Sequence, residues 1–220
     1  MFNYSDVNST NSSVNIFERA VDELVARYRS PLKASKESEK WVTNMISADI
    51  PSVGLVSANR FTLGKLYYFN YYPTLIEARN VYDTNPIVIS VGSDEKGTGD
   101  LGLNIRFLPF NVRIQFMNAL VNAAYGQISA ACQGQKQLKA RLQSSVNLDY
   151  YAIKPIIDRF GAGYAVRDYL KPGRTNVKVI SYENWHKMAC INSDTFVGES
   201  ITTIHSGFSQ YINNRRNNRA

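Results

Sequence analysis

The chain has 220 residues, of which 44% are hydrophobic and 20% charged, and its formal net charge is +7. This composition is typical of a globular protein with one large or two small domains. No apolar run approaches the roughly 18 residues of a transmembrane helix. The N-terminal segment MFNYSDVNSTNSSVN lacks the basic and apolar regions of a secretory signal.

The positive charge lies in the C-terminal part of the chain. Residues 1–134 hold 12 basic and 12 acidic residues, whereas residues 135–220 hold 13 basic and 6 acidic residues, which accounts for the whole net charge. A basic segment favours an acidic partner, such as nucleic acid, an anionic membrane surface or an acidic protein face. An ordinary solvated surface explains the same charge equally well.

The N-terminal half begins with a polar arm and two helices and continues into strands. Residues 1–14 are rich in Asn and Ser and too poor in apolar residues to fold alone. Helical periodicity follows over 16–28 and again over 35–50, ended by Pro51. Three segments then read as strands, and the last two form a long hairpin: LGKLYYFNYY (63–72), PIVISV (86–91) and LGLNIRFL (101–108).

The C-terminal half is mainly helical. Predicted helices cover 110–125, 127–145, 149–160, 161–170 and 199–212, with Gly126 ending the first and Pro155 interrupting the third. VKVISY (177–182) reads as a strand, and residues 183–191 extend it or form a turn. The sequence predicts an α+β fold in which a small antiparallel sheet packs with helices. One domain, 15–212, lies between a flexible arm, 1–14, and a disordered basic tail, 213–220.

A glycine-rich stretch between the second and third strands contains two patterns found in nucleotide sites. Gly97, Gly99 and Gly102 spell GxGxxG, and Gly92 and Gly97 are spaced as in a P-loop. However, Thr98 stands where a P-loop has lysine, and the stretch leads into a strand instead of a helix. The sequence therefore predicts an exposed loop and no nucleotide cofactor. Its candidate partner contacts are Ser93, Asp94, Glu95 and Lys96.

The cysteine and histidine residues give little indication of a metal site or a catalytic site. Cys132 and Cys190 form no CxxC pair, and with His186 and His205 they give no metal-ligand spacing. Cys190 follows His186 by four residues, so Cys–His catalysis is an alternative. The apolar neighbours of Cys190 instead favour a buried thiol. We expect a protein without enzymatic activity, metal or cofactor; a hydrolase that uses His186 is the least favoured hypothesis.

Basic residues near the C-terminus are candidates for contacts with nucleic acid or with a carboxylate-rich protein. Guanidinium groups bind phosphate and carboxylate groups bidentately, and three of them are spaced by Asn in NNRRNNRA. Further basic side chains upstream could share their face, namely Lys154, Arg159, Arg167 and Lys171. The principal candidates are Arg215, Arg216, Arg219, Lys136, Lys139, Arg141, Arg174 and Lys178.

A series of motifs over residues 63–198 carries a family resemblance. The segments are GKLYYFNYYP, YDTNPIVISVG, LGLNIRFLPFNVRIQFMNAL, and SYENWHKMACI followed by FVG. Together they resemble small virion-associated proteins of contractile-tailed, T4-like bacteriophages. Asp83 and Pro86 match that pattern, whereas Ile105-Arg106-Phe107 replaces a more usual Leu-His-Tyr, which removes a histidine.

The resemblance implies a structural subunit of a phage tail, baseplate or neck, with other virion proteins as partners in a symmetric assembly. It places the protein in the virion and, during assembly, in the host cytoplasm. The arms at both ends and the loop after the second strand would make the subunit contacts. Some relatives are DNA-end protectors, so DNA-end binding through the basic C-terminal part is the alternative function.

Overall fold

A computed structural model describes Lys36, Lys40 and residues 61–73, 81–132, 148–191 and 195–218. Lys36 and Lys40, in the second predicted helix, are helical and exposed. The predicted arm, the first predicted helix and residues 133–147 lie outside the described residues. None of the helices described is both long enough and apolar enough to span a bilayer.

A five-stranded antiparallel sheet forms the centre of the protein. The strand order is β5-β4-β3-β1-β6, and a separate two-stranded ribbon pairs β2 with β7. The strands are β1 (Leu66–Tyr71), β2 (Tyr82–Asp83), β3 (Ile87–Ser93), β4 (Gly99–Asn104), β5 (Val166–Leu170), β6 (Arg174–Ile180) and β7 (Phe196–Val197). The α+β fold and its antiparallel sheet are thus as predicted.

The four described helices pack against one face of this sheet. They are α1 (Phe110–Cys132), α2 (Tyr150–Phe160), α3 (Trp185–Cys190) and α4 (Ile201–Asn217). Short 3-10 turns link the elements at Ile105–Phe107, Ala162–Ala165, Lys171–Gly173 and Tyr182–Asn184. The helices α1 and α3 contact each other extensively, and α2 packs against α1.

Alternation of side chains gives the sheet two different buried faces. Leu66, Ile87 and Ile89 point towards the helices, where they join an aliphatic core with residues of α1 and α3. Tyr67 and Val88, their neighbours in sequence, belong instead to an aromatic cluster on the other face. The aromatic composition of LYYFNY follows from this arrangement, because β1 is a central strand with both faces buried.

The predicted hairpin is present and has a shorter loop than expected. Strands β3 and β4 pair from Val88↔Asn104 to Ser93↔Asp100, with a bulge between Ser90 and Gly92. Ladder hydrogen bonds therefore extend into the glycine-rich stretch, and only residues 94–98 connect the strands. No helix begins at the loop, which confirms the reason for rejecting a phosphate-binding motif there.

One predicted helix is a strand. The sequence predicts a helix over residues 161–170, but 166–170 form the edge strand β5, which pairs with β4 from Leu103↔Val166 to Gly99↔Leu170. Gly161 adopts a left-handed conformation with φ 63° and ends α2. The partner strand supplies hydrogen bonds that local periodicity cannot reveal, so pairing overrides helical propensity here.

Other differences concern helix ends, one helix that was not predicted, and residues 105–107, which were predicted as strand and form a 3-10 turn. Helix α1 continues through Gly126 to Cys132, and α2 continues through Pro155 without a break. Residues 185–190, expected to be strand or turn, form α3. Helix α4 extends to Asn217, so residues 213–217 are helical and not a disordered tail. The predicted boundary between arm and domain stays a prediction, because residues 1–14 lie outside the described residues.

Candidate nucleic-acid interface

The C-terminal end of α2 and the turn that follows it contact α4. Tyr164 in this turn donates a hydrogen bond from its hydroxyl to the carbonyl oxygen of Ile204, at 3.0 Å. Its ring packs against Phe208 and Tyr211 of α4, with centroids 5.8 and 5.6 Å apart. Ser200 caps the N-terminus of α4 by accepting a hydrogen bond from the backbone of Thr203. The basic end of α4 is thereby fixed relative to α2.

An ion-pair cluster joins the exposed sides of the two helices. Asp158 accepts from Lys154 Nζ at 2.6 Å and from Arg215 Nη2 at 3.2 Å. Hydrogen bonding to Lys154, and then to Arg215, lowers the pKa of the Asp158 carboxyl. The same hydrogen bond raises the pKa of Lys154. Because one carboxylate serves two cations, the cluster keeps a net positive charge.

Two further arginines add to this charge. Arg159 is exposed beside Phe160, with its guanidinium 5.4 Å from the ring centroid, and Arg216 is exposed near the end of α4. Helix α4 contains no acidic residue. We call Lys154, Arg159, Arg215 and Arg216 the basic surface. Arginine near the C-terminus of α4 also interacts favourably with the helix dipole.

Two tyrosines at the start of α2 lie next to the basic surface. Tyr150 is 41% exposed and Tyr151 is 88% exposed, and their ring centroids are 6.4 Å apart in an edge-on arrangement. Tyr151 precedes Lys154 by three residues and Asp158 by seven, which places the three on one side of the helix. Sequence analysis did not select these tyrosines, although the adjacent aromatic pair in DYY was visible.

The predicted basic residues do not form a single face. Arg215 and Arg216 lie at the basic surface, whereas Arg174 and Lys178 of β6 are buried in the sheet. Arg174 donates to Asp100 Oδ2 at 2.6 Å and lies over the Phe61 ring at 4.1 Å, so we exclude it from the proposed contacts. The remaining candidates lie outside the described residues: Lys136, Lys139, Arg141 and Arg219.

Arg167 and Lys171 also have structural contacts. Arg167 donates to the carbonyl oxygens of Tyr164 and Val166 at 2.6 and 2.8 Å and lies 4.2 Å from the Phe107 ring centroid. Lys171 Nζ donates to the carbonyl oxygen of Gly97 at 2.7 Å. Lys171 is therefore next to the β3–β4 loop, at the far end of β5 from the turn that leads out of α2.

The β3–β4 loop is exposed and stabilised from within. Asp94 accepts from Thr98 Oγ1 at 2.6 Å, and this hydrogen bond lowers the pKa of Asp94. Ser93, Glu95 and Lys96 are exposed. The loop is thus at the surface as predicted, while its role as a partner contact stays a prediction.

The candidate nucleophile has an unfavourable environment. Cys190 is buried, as its neighbours in sequence predict, and burial raises the pKa of its thiol to about 11. A protonated thiol is a poor nucleophile at neutral pH. His186 is partly buried in α3, and burial lowers the pKa of His205. Among the described residues, no three His, Cys, Asp or Glu side chains are grouped as metal ligands.

The motifs behind the family resemblance meet in a buried polar network. Asp83 Oδ1 accepts from Arg106 Nη1 at 3.4 Å and from the Thr195 hydroxyl, and Asp83 Oδ2 accepts from Asn104 Nδ2 at 2.9 Å. Arg106 also donates to the carbonyl oxygen of Asn85 at 3.0 Å. The network thereby joins β2, the end of β4 and the segment before β7. Asp83 and Arg106 are almost fully buried, so the network is not a surface site.

Comparison with known proteins identifies the family. A family model described as the phage T4 terminal DNA protecting protein matches residues 4–201, which is 198 of the 220 residues. No curated protein and no solved structure matches the chain. The family match confirms the kinship with T4-like bacteriophages, and its description names no tail, baseplate or neck component. The chain therefore belongs to the family of the phage T4 terminal DNA protecting protein.

Proposed function

We propose that the protein binds the ends of linear duplex DNA and shields them by occupying them. The observation that carries this proposal is the family match over residues 4–201, whose description refers to protection of terminal DNA. The match supports the DNA-end alternative better than the tail or baseplate subunit suggested by the motifs. Within the proposal, the protein accompanies the DNA in the virion and in the infected cell.

The basic surface is the proposed site of phosphate contact. Two of its four cations, Lys154 and Arg215, share the carboxylate of Asp158, and Tyr164 in the turn after α2 donates a hydrogen bond to α4. Phosphate contacts position a protein on DNA without reading its sequence, which suits a protein that binds ends. Helix α4 lies almost entirely beyond the matched residues, so Arg215 and Arg216 are proposed from their charge and position alone.

The proposed protection requires binding and no reaction. A protein that covers a terminus excludes an exonuclease sterically, so no nucleophile or metal is needed. The buried Cys190, with its raised pKa, is consistent with this mode of action. The absence of enzymatic activity is part of the proposal.

Charge-removal variants test the location of the DNA contact. We expect Arg215→Ala/Arg216→Ala to weaken binding to a linear duplex and to reduce the slope of log affinity against log salt by about 1.8, or about 0.9 for each phosphate that is no longer neutralised. The measurement is fluorescence anisotropy with labelled duplex across a range of salt concentrations.

A matched double variant provides the control. Lys96→Ala/Lys171→Ala removes the same number of charges at the loop end of β4 and β5, about 13 Å along β5 from the turn after α2. This variant should keep the wild-type salt dependence. An equal weakening in both double variants would show that binding follows overall charge and would overturn the basic surface as the site.

An exonuclease experiment tests protection itself. Linear duplex with and without the protein is treated with an exonuclease that starts only at duplex ends, and the rate of nucleotide release is measured. We expect the wild type to slow degradation at saturating protein and Arg215→Ala/Arg216→Ala to slow it less at the same protein concentration. Degradation at an unchanged rate while the duplex is bound would contradict the proposed function.

A further inference from the structure

Packing among the described residues does not explain why two adjacent tyrosines, Tyr150 and Tyr151, are exposed at the start of α2. Exposed large hydrophobic side chains among the described residues are Tyr72, Tyr150, Tyr151 and Val197, and Tyr151 is the most exposed of them at 88%. Tyr150 and Tyr151 are adjacent in sequence and their rings are in contact range of each other. The pair therefore presents a continuous aromatic surface at one end of α2.

The cations of the basic surface extend from this aromatic surface along the same helix. Asp158, which pairs with both Lys154 and Arg215, lies seven residues after Tyr151, or about 10 Å along the helix axis. Tyr150 is close enough to Lys154 to contribute to its raised pKa. An aromatic surface is thus followed within about 10 Å by two cations.

This spacing fits the terminus of a DNA duplex. Phosphates follow one another at about 3.4 Å per strand along the duplex axis, so 10 Å corresponds to about three base pairs from the end. The terminal base pair has one face without a stacking neighbour, whereas every interior pair is covered on both faces. Tyrosine rings stack on base faces without requiring a particular sequence.

We propose that Tyr151, supported edge-on by Tyr150, stacks on the open face of the terminal base pair while Lys154 and Arg215 contact phosphates of the last three base pairs. This inference rests on the proposed function and adds the feature that distinguishes an end from the interior of a duplex. The basic surface alone gives binding anywhere along DNA, and the aromatic surface gives the preference for ends.

The charges near the tyrosines favour DNA over a protein as the occupant. The acidic residue Asp149 precedes the tyrosines and keeps its negative charge, while its Oδ1 accepts from the backbone N–H of Ala152 at 2.8 Å and its Oδ2 accepts from Gln127 at 3.2 Å. Asp158 is paired with two cations. The four cations of the basic surface outnumber the two carboxylates of Asp149 and Asp158, so the net charge beside the rings is positive and favours a polyanion.

The test compares end binding with interior binding in the same variants. Affinities are measured for a duplex with two open ends and for a covalently closed circle of similar length and sequence. The wild type should prefer the open duplex. Tyr151→Ala should reduce this preference by about tenfold or more, as expected when one stacking interaction is removed, while keeping its affinity for the circle. Tyr151→Phe should retain the preference, because the ring remains.

Tyr72→Ala is the matched control, since Tyr72 is also exposed, at 61%, and lies outside α2 just beyond the end of β1. It should behave like the wild type. A second readout is a 2-aminopurine placed at the terminal or an interior position: ring stacking should quench the terminal probe, and Tyr151→Ala should abolish this quenching. Circular dichroism verifies that each variant is folded.

The outcomes separate this inference from the proposed function. If the wild type prefers open ends and Tyr151→Ala keeps both that preference and the quenching, the stacking contact is overturned and end binding stands. If Tyr151→Ala weakens binding to open and closed DNA equally, the ring makes a general contact and the inference is also overturned. If the wild type has no preference for ends, the proposed function and the inference fail together.

Discussion

Within the described residues, three buried arginine side chains obtain their partners from distant parts of the chain. Arg106 pairs with Asp83, Arg174 pairs with Asp100, and Arg113 donates to the carbonyl oxygens of Ile191 and Leu108. Burial lowers the pKa of Arg113 to about 9. At the scale of single residues, these three guanidinium groups therefore stabilise the fold and are not available to a ligand at the surface.

The Asp83–Arg106 pair allows a stability prediction. Asp83→Ala should lower the free energy of unfolding by about 3–5 kcal/mol, because it leaves the Arg106 guanidinium buried without its counter-charge. Urea denaturation followed by circular dichroism measures the change. Asp158→Ala, which breaks an exposed cluster, should have a much smaller effect. Similar destabilisation in the two variants would contradict a dominant role for the buried pair.

At the scale of elements, two glycines in helical regions have opposite roles. Gly126 lies within α1, is exposed, and has open space where a Cβ would be added. Gly161 ends α2 in a left-handed conformation, and a Cβ there would overlap Ile212 Cδ1 of α4. The sequence pattern predicts the helix-ending role for Gly126, whereas the structure gives that role to Gly161.

Alanine substitutions at these glycines should change stability in opposite directions. Gly126→Ala should raise the free energy of unfolding by about 0.5–1 kcal/mol, because alanine restricts the unfolded chain and favours helix. Gly161→Ala should lower it by at least about 1–2 kcal/mol, the cost of a left-handed L-residue. Thermal and urea unfolding of both variants measures the difference. A decrease in stability in Gly126→Ala would contradict an uninterrupted α1.

At the scale of the whole molecule, the basic side chains of the described residues include buried ones in the sheet and exposed ones on α2 and α4. Arg174 and Lys178 are buried in β6, whereas Arg215 reaches Asp158 across the two helices. The exposed cations of α2 and α4 form the basic surface, where we propose that DNA phosphates bind. Asp158 both organises this surface and reduces its positive charge.

Removal of the Asp158 charge should strengthen DNA binding. Asp158→Asn removes the negative charge that Lys154 and Arg215 share, so the surface gains one net positive charge and the salt dependence of binding should become steeper by about 0.9 of a unit of slope. Anisotropy measurements at several salt concentrations provide the slope.

Glu95→Gln removes one negative charge from the β3–β4 loop and serves as the control for Asp158→Asn, with no expected change in slope. Weaker binding by Asp158→Asn would mean that the carboxylate is needed to position the cations. An equal gain in both variants would mean that only the total charge matters.

Local patterns in the sequence were enough to predict the fold class, the β3–β4 hairpin and most of the helices, because alternation and helical periodicity are local properties of the chain. They also indicated correctly that the glycine-rich stretch enters a strand and that Cys190 is buried. The motifs were sufficient to indicate kinship with T4-like phages before the fold was known.

Which residues face a ligand depends on the tertiary structure. Strand β5 exists because β4 lies beside it, and Arg174 is buried because Asp100 is its partner on a neighbouring part of the sheet. Arg215 lies at the surface in a helix joined to Asp158, and Tyr151 remains exposed because no other element covers the start of α2 within the described residues. The first three outcomes depend on a partner distant in sequence and the last on the lack of a covering element, and a local pattern contains neither.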